Sequence, residues 1–103
     1  MGSGGHHASG TVTFGMGMHD RRVLILNDFK VDKVPDGYVY LTKNGDWMHG
    51  VELGKLNKFS GTVSFELPAG LDPMDFDSVI IWCKKFNVEI GRARLAQTHR
   101  GNW

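Results

Sequence analysis

The 103-residue chain carries one cysteine, Cys83, set between Trp82 and the pair Lys84-Lys85. A lone cysteine forms no intrachain disulfide, so its chemistry is that of a free thiol or of a soft ligand for a metal or haem iron. The competing role is a small buried hydrophobe, since unpaired cysteine is among the most buried residue types. A lysine ammonium beside the sulfur would depress the thiol pKa, yet on a strand Lys84 points to the face opposite Cys83. Cofactor signatures narrow the choice. Covalent c-type haem needs a second Cys and an adjacent His, and neither is present. Cupredoxin copper takes a His and a Met soon after its Cys, whereas the next His here is His99 and no Met follows. Structural zinc lacks its paired cysteines. A non-covalent b-type haem stays open.

Five His and five Met in so short a chain raise soft-metal capture. Met16, Met18 and His19 share one Gly-punctuated segment, where thioether and imidazole suit Cu(I). The alternative there is a flexible turn whose methionines cover an edge of the core. His49, beside Trp47 and Met48, is either a ligand or a loop residue. Asp72, Asp75 and Asp77 alternate with apolar residues and could supply oxygen ligands to Ca²⁺, but the EF-hand pattern is missing and a solvated turn accounts for them. No Ser-His-Asp signature and no spaced carboxylate pair point to hydrolysis. Trp47, Trp82 and Trp103, with Tyr38 and Tyr40, offer stacking surfaces or an electron-hopping route, or simply core. Trp103, at the end of the chain, is expected to be ordered only by packing on its own chain or on a partner.

These side chains need elements to position them. With 41% hydrophobic and 22% charged residues, the chain is a folded single domain. A net charge of +1 with no basic cluster gives no support to nucleic-acid binding or to an anionic membrane surface. No apolar run approaches the roughly 18 residues of a membrane span. Fourteen glycines sit between short apolar runs with period-two alternation, which predicts an all-β domain. Thr11 to Phe14 alternates. Arg22 to Val31 reads as a central strand, with Val23, Ile25 and Phe29 on one face and Leu24 and Leu26 on the other. Val34-Pro35-Asp36-Gly37 is a turn, Tyr38 to Thr42 a strand, and Lys43-Asn44-Gly45-Asp46 a second turn. Val51 to Phe59 is ambiguous between strand and loop, and Thr62 to Leu67 points Val63, Phe65 and Leu67 inward. Leu71 to Asp77 reads as a loop holding one helical turn.

Ser78 to Lys84 is the most apolar stretch and a second central strand, with Val79, Ile81 and Cys83 on one face and Ile80 and Trp82 on the other. In Val88 to Leu95 the apolar parity switches at Gly91, which predicts a β-bulge there. Some seven or eight short strands imply a single-domain antiparallel β-sandwich or small barrel. Residues 1–5 read as an expression leader or flexible N-terminus without a signal peptide, and 97–103 as a C-terminal tail. His6-His7 reads as tag remnant or as native sequence.

Taken together, these residues are similar to the DM-thirteen domain family, the electron-transfer DM domain. His6 with Ser9-Gly10-Thr11 resembles the family's opening, and Leu24 to Phe29 its long strand. Pro35-Asp36 and Val39-Tyr40-Leu41 follow, then Leu53-Gly54-Lys55-Leu56, Gly61 and Pro68. The most specific block is Val79-Ile80-Ile81-Trp82-Cys83-Lys84-Lys85-Phe86, followed by Gly91, Ala93 and Leu95. The resemblance runs from His6 to Leu95, departs at Gly37 and Asn57, and places the domain at residues 6–96. It makes His6 part of the native domain.

What the resemblance implies is an extracellular, cell-surface or periplasmic module, often found beside DOMON or b-type cytochrome domains. It implies electron transfer in which the single Cys is a naked thiol or a ligand to a group such as haem. Cys83 is then the redox atom, Trp82 and Phe86 shape its surroundings, and His6 is the second polar member of the site. This role requires a sulfur that is reachable or adjoins a cavity. A domain of this size is expected to be a redox or binding module rather than a self-sufficient enzyme. The alternative is a non-catalytic extracellular binding module, with Cys83 as core filler and the Gly15–Arg21 and Lys43–Gly50 loops as the contact surface.

Overall fold

A computed structural model describes residues 6–96 and 100–103; the leader assigned to residues 1–5 and positions 97–99 of the tail lie outside them. The chain forms β1 (Ala8–Met16), β2 (Arg22–Val31), β3 (Gly37–Thr42), β4 (Val51–Lys55), β5 (Ser60–Glu66), β6 (Ser78–Cys83), β7 (Val88–Leu95) and β8 (Gly101–Asn102). All pair antiparallel in one sheet of order β4-β3-β6-β7-β8-β1-β2-β5. Of the two expected architectures, the molecule adopts the barrel-like one. Its edge strands β4 and β5 meet at a seam where a Cβ on Gly54 would lie 3.2 Å from the Phe65 ring. Among the described residues no helix is long and apolar enough to cross a membrane.

The middle of the sheet follows from alternation. In β6, Val79, Ile81 and Cys83 face the apolar interior with Val39, Leu41, Ile90 and Ala93, and Trp82 stands half-buried on the outside. The β7 bulge is present. Ile81 pairs with Gly91 but Trp82 pairs with Glu89, so Ile90 is the extra residue, next to the switch glycine. The insertion lets Ile90 face the core together with Ala93 and Leu95, which simple parity forbids. Leu71 to Asp77 holds a single 3₁₀ turn, Pro73–Asp75, capped by the Asp72 carboxylate accepting from Met74 N–H at 3.0 Å. The ambiguous Val51–Phe59 segment resolves into β4, and Val63, Phe65 and Leu67 pack inward as expected.

Two expectations about packing change. Phe29 does not share a face with Val23 and Ile25; it joins Leu24 and Leu26 in the core. β2 carries one residue more than β1 between Ser9 and Thr11, and one more than β5 between Val63 and Gly61. The extra residue lies at Asn27-Asp28, where Asp28 takes a φ of 45° and the parity inverts. No glycine or proline within β2 marks this bulge, so period-two counting along the strand passed over it. The other change concerns the end of the chain. Gly101–Asn102 fills the gap between β7 and β1, and Trp103 is buried against Phe29 with ring centroids 5.6 Å apart. Trp103 packs on its own chain, one of the two options foreseen.

Pairing also sorts the strand termini. Ala8 lies opposite Val31, Gly37 opposite Cys83, Cys83 opposite Val88, and Lys30 opposite Ser60. The start of β1, the ends of β2, β4, β6 and β8, and the start of β7 therefore share one end of the barrel. His6 and Cys83 belong to that same end.

Gly10 sits at the β2 bulge with a φ of 111°, where a Cβ would lie 2.7 Å from the Asn27 carbonyl oxygen. Gly10→Ala is expected to lower unfolding stability by about 2–4 kcal/mol, from backbone strain plus the clash. Urea denaturation checks this.

Candidate functional site

Cys83 ends the central strand with 0% exposure, inside the apolar cluster that includes Val34, Leu56, Ile81 and Ile90. Gly37, its partner across the ladder, leaves so little room that a Cβ there would sit 3.0 Å from Val34. None of the five surface cavities described by the structure has Cys83 in its wall. The sulfur is thus enclosed, and its surroundings do not fit a haem, which needs an open slot beside its axial ligand. Lys84 points away from the thiol, as strand geometry requires.

Outside the same strand the aromatic residues assemble. The Trp47 and Trp82 rings stack with centroids 3.8 Å apart and 10° between planes. Tyr40 meets Trp47 edge-on at 6.0 Å and 73°. Such pairs contribute about 0.5–1.5 kcal/mol each beyond buried area. Tyr40 and Trp82 come from neighbouring strands β3 and β6, while Trp47 arrives from the β3–β4 connection, whose Asn44-Gly45 turn has positive φ at both residues. The Tyr40 hydroxyl donates to Glu52 Oε1 at 2.9 Å, and the Lys84 ammonium forms an ion pair with the same carboxylate oxygen. Lys84 also lies 3.9 Å above the Tyr38 ring.

The electrostatics follow from these contacts. The Lys84 ammonium holds the Glu52 carboxyl below its ordinary range, and Glu52 raises Lys84 in return. Burial, then the adjacent Glu52 carboxylate, raises the Tyr40 phenol above its usual value. Glu52 was absent from the sequence reading. Its place opposite Tyr40 depends on an extra residue in β4, Leu53, between the pairs Val39–Gly54 and Tyr40–Glu52. The one signal available was its alternation with the apolar residues of Val51–Leu53.

The remaining candidates scatter. His6 reaches no farther than Asp32, at 4.0 Å, in an open pocket of about 630 Å³ lined also by His7, Lys30, Val31 and Trp103. It shares a barrel end with Cys83, but the Asp32 contact faces this pocket and the thiol faces the core. The His7 backbone N–H donates to Asp32 at 2.9 Å and holds that carboxyl below its ordinary range. Met16 and Met18 are 63% and 76% exposed at the β1–β2 turn. His19, in the same turn, lines a cavity with Asp20, Arg21, Arg22 and Asp72, whose opposite charges balance. Among the described residues no group of three or more His, Cys, Asp or Glu is arranged to hold a metal ion. His49 pairs with Asp46 at 2.6 Å on the surface. Asp77 accepts from Asn44 N–H and from the Ser78 hydroxyl, so it ties turns together. Phe86, expected beside the thiol, is 60% exposed on the β6–β7 turn.

Two measurements follow. A thiol reagent is expected to label Cys83 in the native protein at least about 10³-fold more slowly than in denaturant, because access requires opening of the core. Tyr40 has a folded pKa above its unfolded one, so its contribution to stability is complete below about pH 10 and is lost as pH rises through the folded value. Alkaline denaturation should therefore begin above about pH 10 and be less steep in Tyr40→Phe.

No curated protein and no solved structure matches the chain. A family model described as electron transfer DM13 matches residues 1–95, which takes in the strand of Cys83, the aromatic stack, the Tyr40–Glu52–Lys84 group and His6 with Asp32. On that match, the chain belongs to the electron transfer DM13 family.

Proposed function

We propose that this chain is an extracytoplasmic electron-transfer module in which Cys83 is the redox thiol and Trp82 and Trp47 carry the electron between it and the surface. The observation that carries the reading is the stack of Trp47 on Trp82, 3.8 Å apart and one residue along the strand from the sulfur. Alternation in β6 sends Cys83 inward and Trp82 outward, so one covalent step joins the enclosed atom to the outer aromatic face. Membership of an electron-transfer family supports the same reading.

Enclosure of the sulfur sets the type of chemistry. Thiol–disulfide exchange requires a thiolate to reach a partner sulfur, and a core position prevents this. Electron exchange requires no such contact. Cys83 gives one electron through the indoles to the external oxidant, and its S–H proton to water admitted by local opening at the strand end. This leaves a thiyl radical that one electron and one proton return to the thiol. A haem ligated by Cys83 forms no part of the reading, because the packing around the sulfur leaves no slot for it. The module instead passes electrons to and from a separate protein of the kind that accompanies this family, a DOMON or b-type cytochrome domain. That protein would approach the outer face around Trp47. Location outside the cytoplasm accords with the same family resemblance.

Stopped-flow oxidation by hexachloroiridate(IV), an outer-sphere one-electron oxidant, tests the assignment. Cys83→Ala should abolish the fastest protein oxidation phase, and Trp82→Phe should slow it about tenfold, equivalent to about 1.4 kcal/mol of barrier. Unchanged kinetics in a folded Cys83→Ala would make the cysteine core filler and leave the binding-module reading in its place.

A further inference from the structure

A tyrosine gives up an electron readily only if its phenolic proton leaves with it, because the oxidised phenol is a strong acid. A buried tyrosine has little water to accept that proton and needs a hydrogen-bonded base. Tyr40 meets both conditions. It is 8% exposed, and its hydroxyl donates to Glu52 Oε1 at 2.9 Å. The carboxylate is held in place by the Lys84 ammonium, which binds the same oxygen. On its other side Tyr40 meets Trp47 at 6.0 Å, and Trp47 stacks on Trp82. An indole, by contrast, can lose an electron and keep its N–H proton for a time. The two tryptophans are thus suited to pass an oxidising equivalent, and Tyr40 to hold it.

We propose that Tyr40 is a proton-coupled redox site, fed through Trp47 and Trp82, with Glu52 as its proton acceptor and Lys84 as the residue that positions the carboxylate. A high-potential one-electron metal oxidant takes an electron from the indole pair and leaves an indole cation radical. Tyr40 passes one electron to that radical and restores the neutral indole. The phenolic O–H bond breaks as an O–H bond forms on Glu52, so the products are a neutral tyrosyl radical and a neutral carboxylic acid. One electron from a reductant reverses the step, and the proton returns across the same hydrogen bond. The net change is one electron lost by the protein and one proton moved by a single hydrogen-bond length. This assignment rests on the electron-transfer reading but not on the role of Cys83.

Photogenerated ruthenium(III) tris-bipyridine serves as the oxidant, with transient absorption separating tyrosyl from indole radicals in the full chain. The wild type should form a tyrosyl radical after the indole radical, with a rate that falls in D₂O. Tyr40→Phe should remove the tyrosyl signal and prolong the indole radical, whereas Tyr38→Phe should leave both unchanged. Glu52→Gln keeps the hydrogen-bonding shape without the base and should reduce the tyrosyl yield roughly tenfold or more. Glu52→Asp should recover part of it. A tyrosyl signal that survives Tyr40→Phe overturns the proposal, as does wild-type kinetics without a solvent isotope effect, a measurement that needs no variant to fold. Cys83→Ala separates the two readings. It should leave the Tyr40 radical intact, so failure of the thiol assignment and failure of the tyrosine assignment give different results.

Discussion

Alternation along β6 is the constraint from which the site is built. The strand lies between β3 and β7 inside the sheet, so both of its backbone edges are occupied and its register cannot drift without unpairing two ladders. With the register held, successive residues must face opposite sides. Val79, Ile81 and Cys83 enter the core, and Trp82 goes to the outside, where Trp47 covers it. A one-residue slip would expose the thiol and bury the indole. The buried Thr42–Ser78 hydroxyl pair, 2.6 Å apart at the other end of β3 and β6, guards against that slip, because parting the two hydroxyls costs each a hydrogen-bond partner in a dry environment.

The two faces then do different physical work. The inner face has no disulfide and closes a barrel-like sheet with aliphatic side chains, Phe29 and Trp103. Close packing is what the core offers, and a cysteine suits it as a small, soft filler. The outer face at β3, β4 and β6 is held by aromatic stacking and by a charged hydrogen-bond group, Tyr40–Glu52–Lys84. Polar groups sit beside the rings there, whereas the side chains packed around Cys83 are apolar. A dry interior sulfur and a wetter aromatic surface are thus joined through the backbone of a single strand.

Bulges are the second device. β2, β4 and β7 each carry one extra residue, and each insertion decides which side chain faces where. The β2 insertion turns Phe29 into the core to meet Trp103, and the β7 insertion turns Ile90 inward. The β4 insertion sets Glu52 opposite Tyr40 and so brings a carboxylate to the phenol. The β7 bulge was legible because Gly91 stands where the apolar parity breaks. The β2 bulge was not, because Asp28 tolerates a positive φ without announcing it as glycine would. β8 was equally hidden, since two residues have no periodicity and their place in the sheet also needs β1, from the opposite end of the chain, as the partner across from β7.

By itself, the sequence determined what local chemistry and period-two alternation can determine. That covers an all-β antiparallel domain, most strand limits, the inward thiol beside an outward tryptophan, the turn residues, and a family resemblance concentrated in the block around Cys83. Each of these depends on near neighbours in the chain. Only the tertiary structure decided that the sheet curls into a near-barrel and that Cys83 is enclosed. It also decided that His6 shares a barrel end with the thiol yet faces Asp32, and that Trp47 stacks on Trp82. It alone placed Glu52 between Tyr40 and Lys84. Those outcomes rest on register and closure between distant segments, and a single inserted residue reverses a face without leaving a mark in composition or spacing.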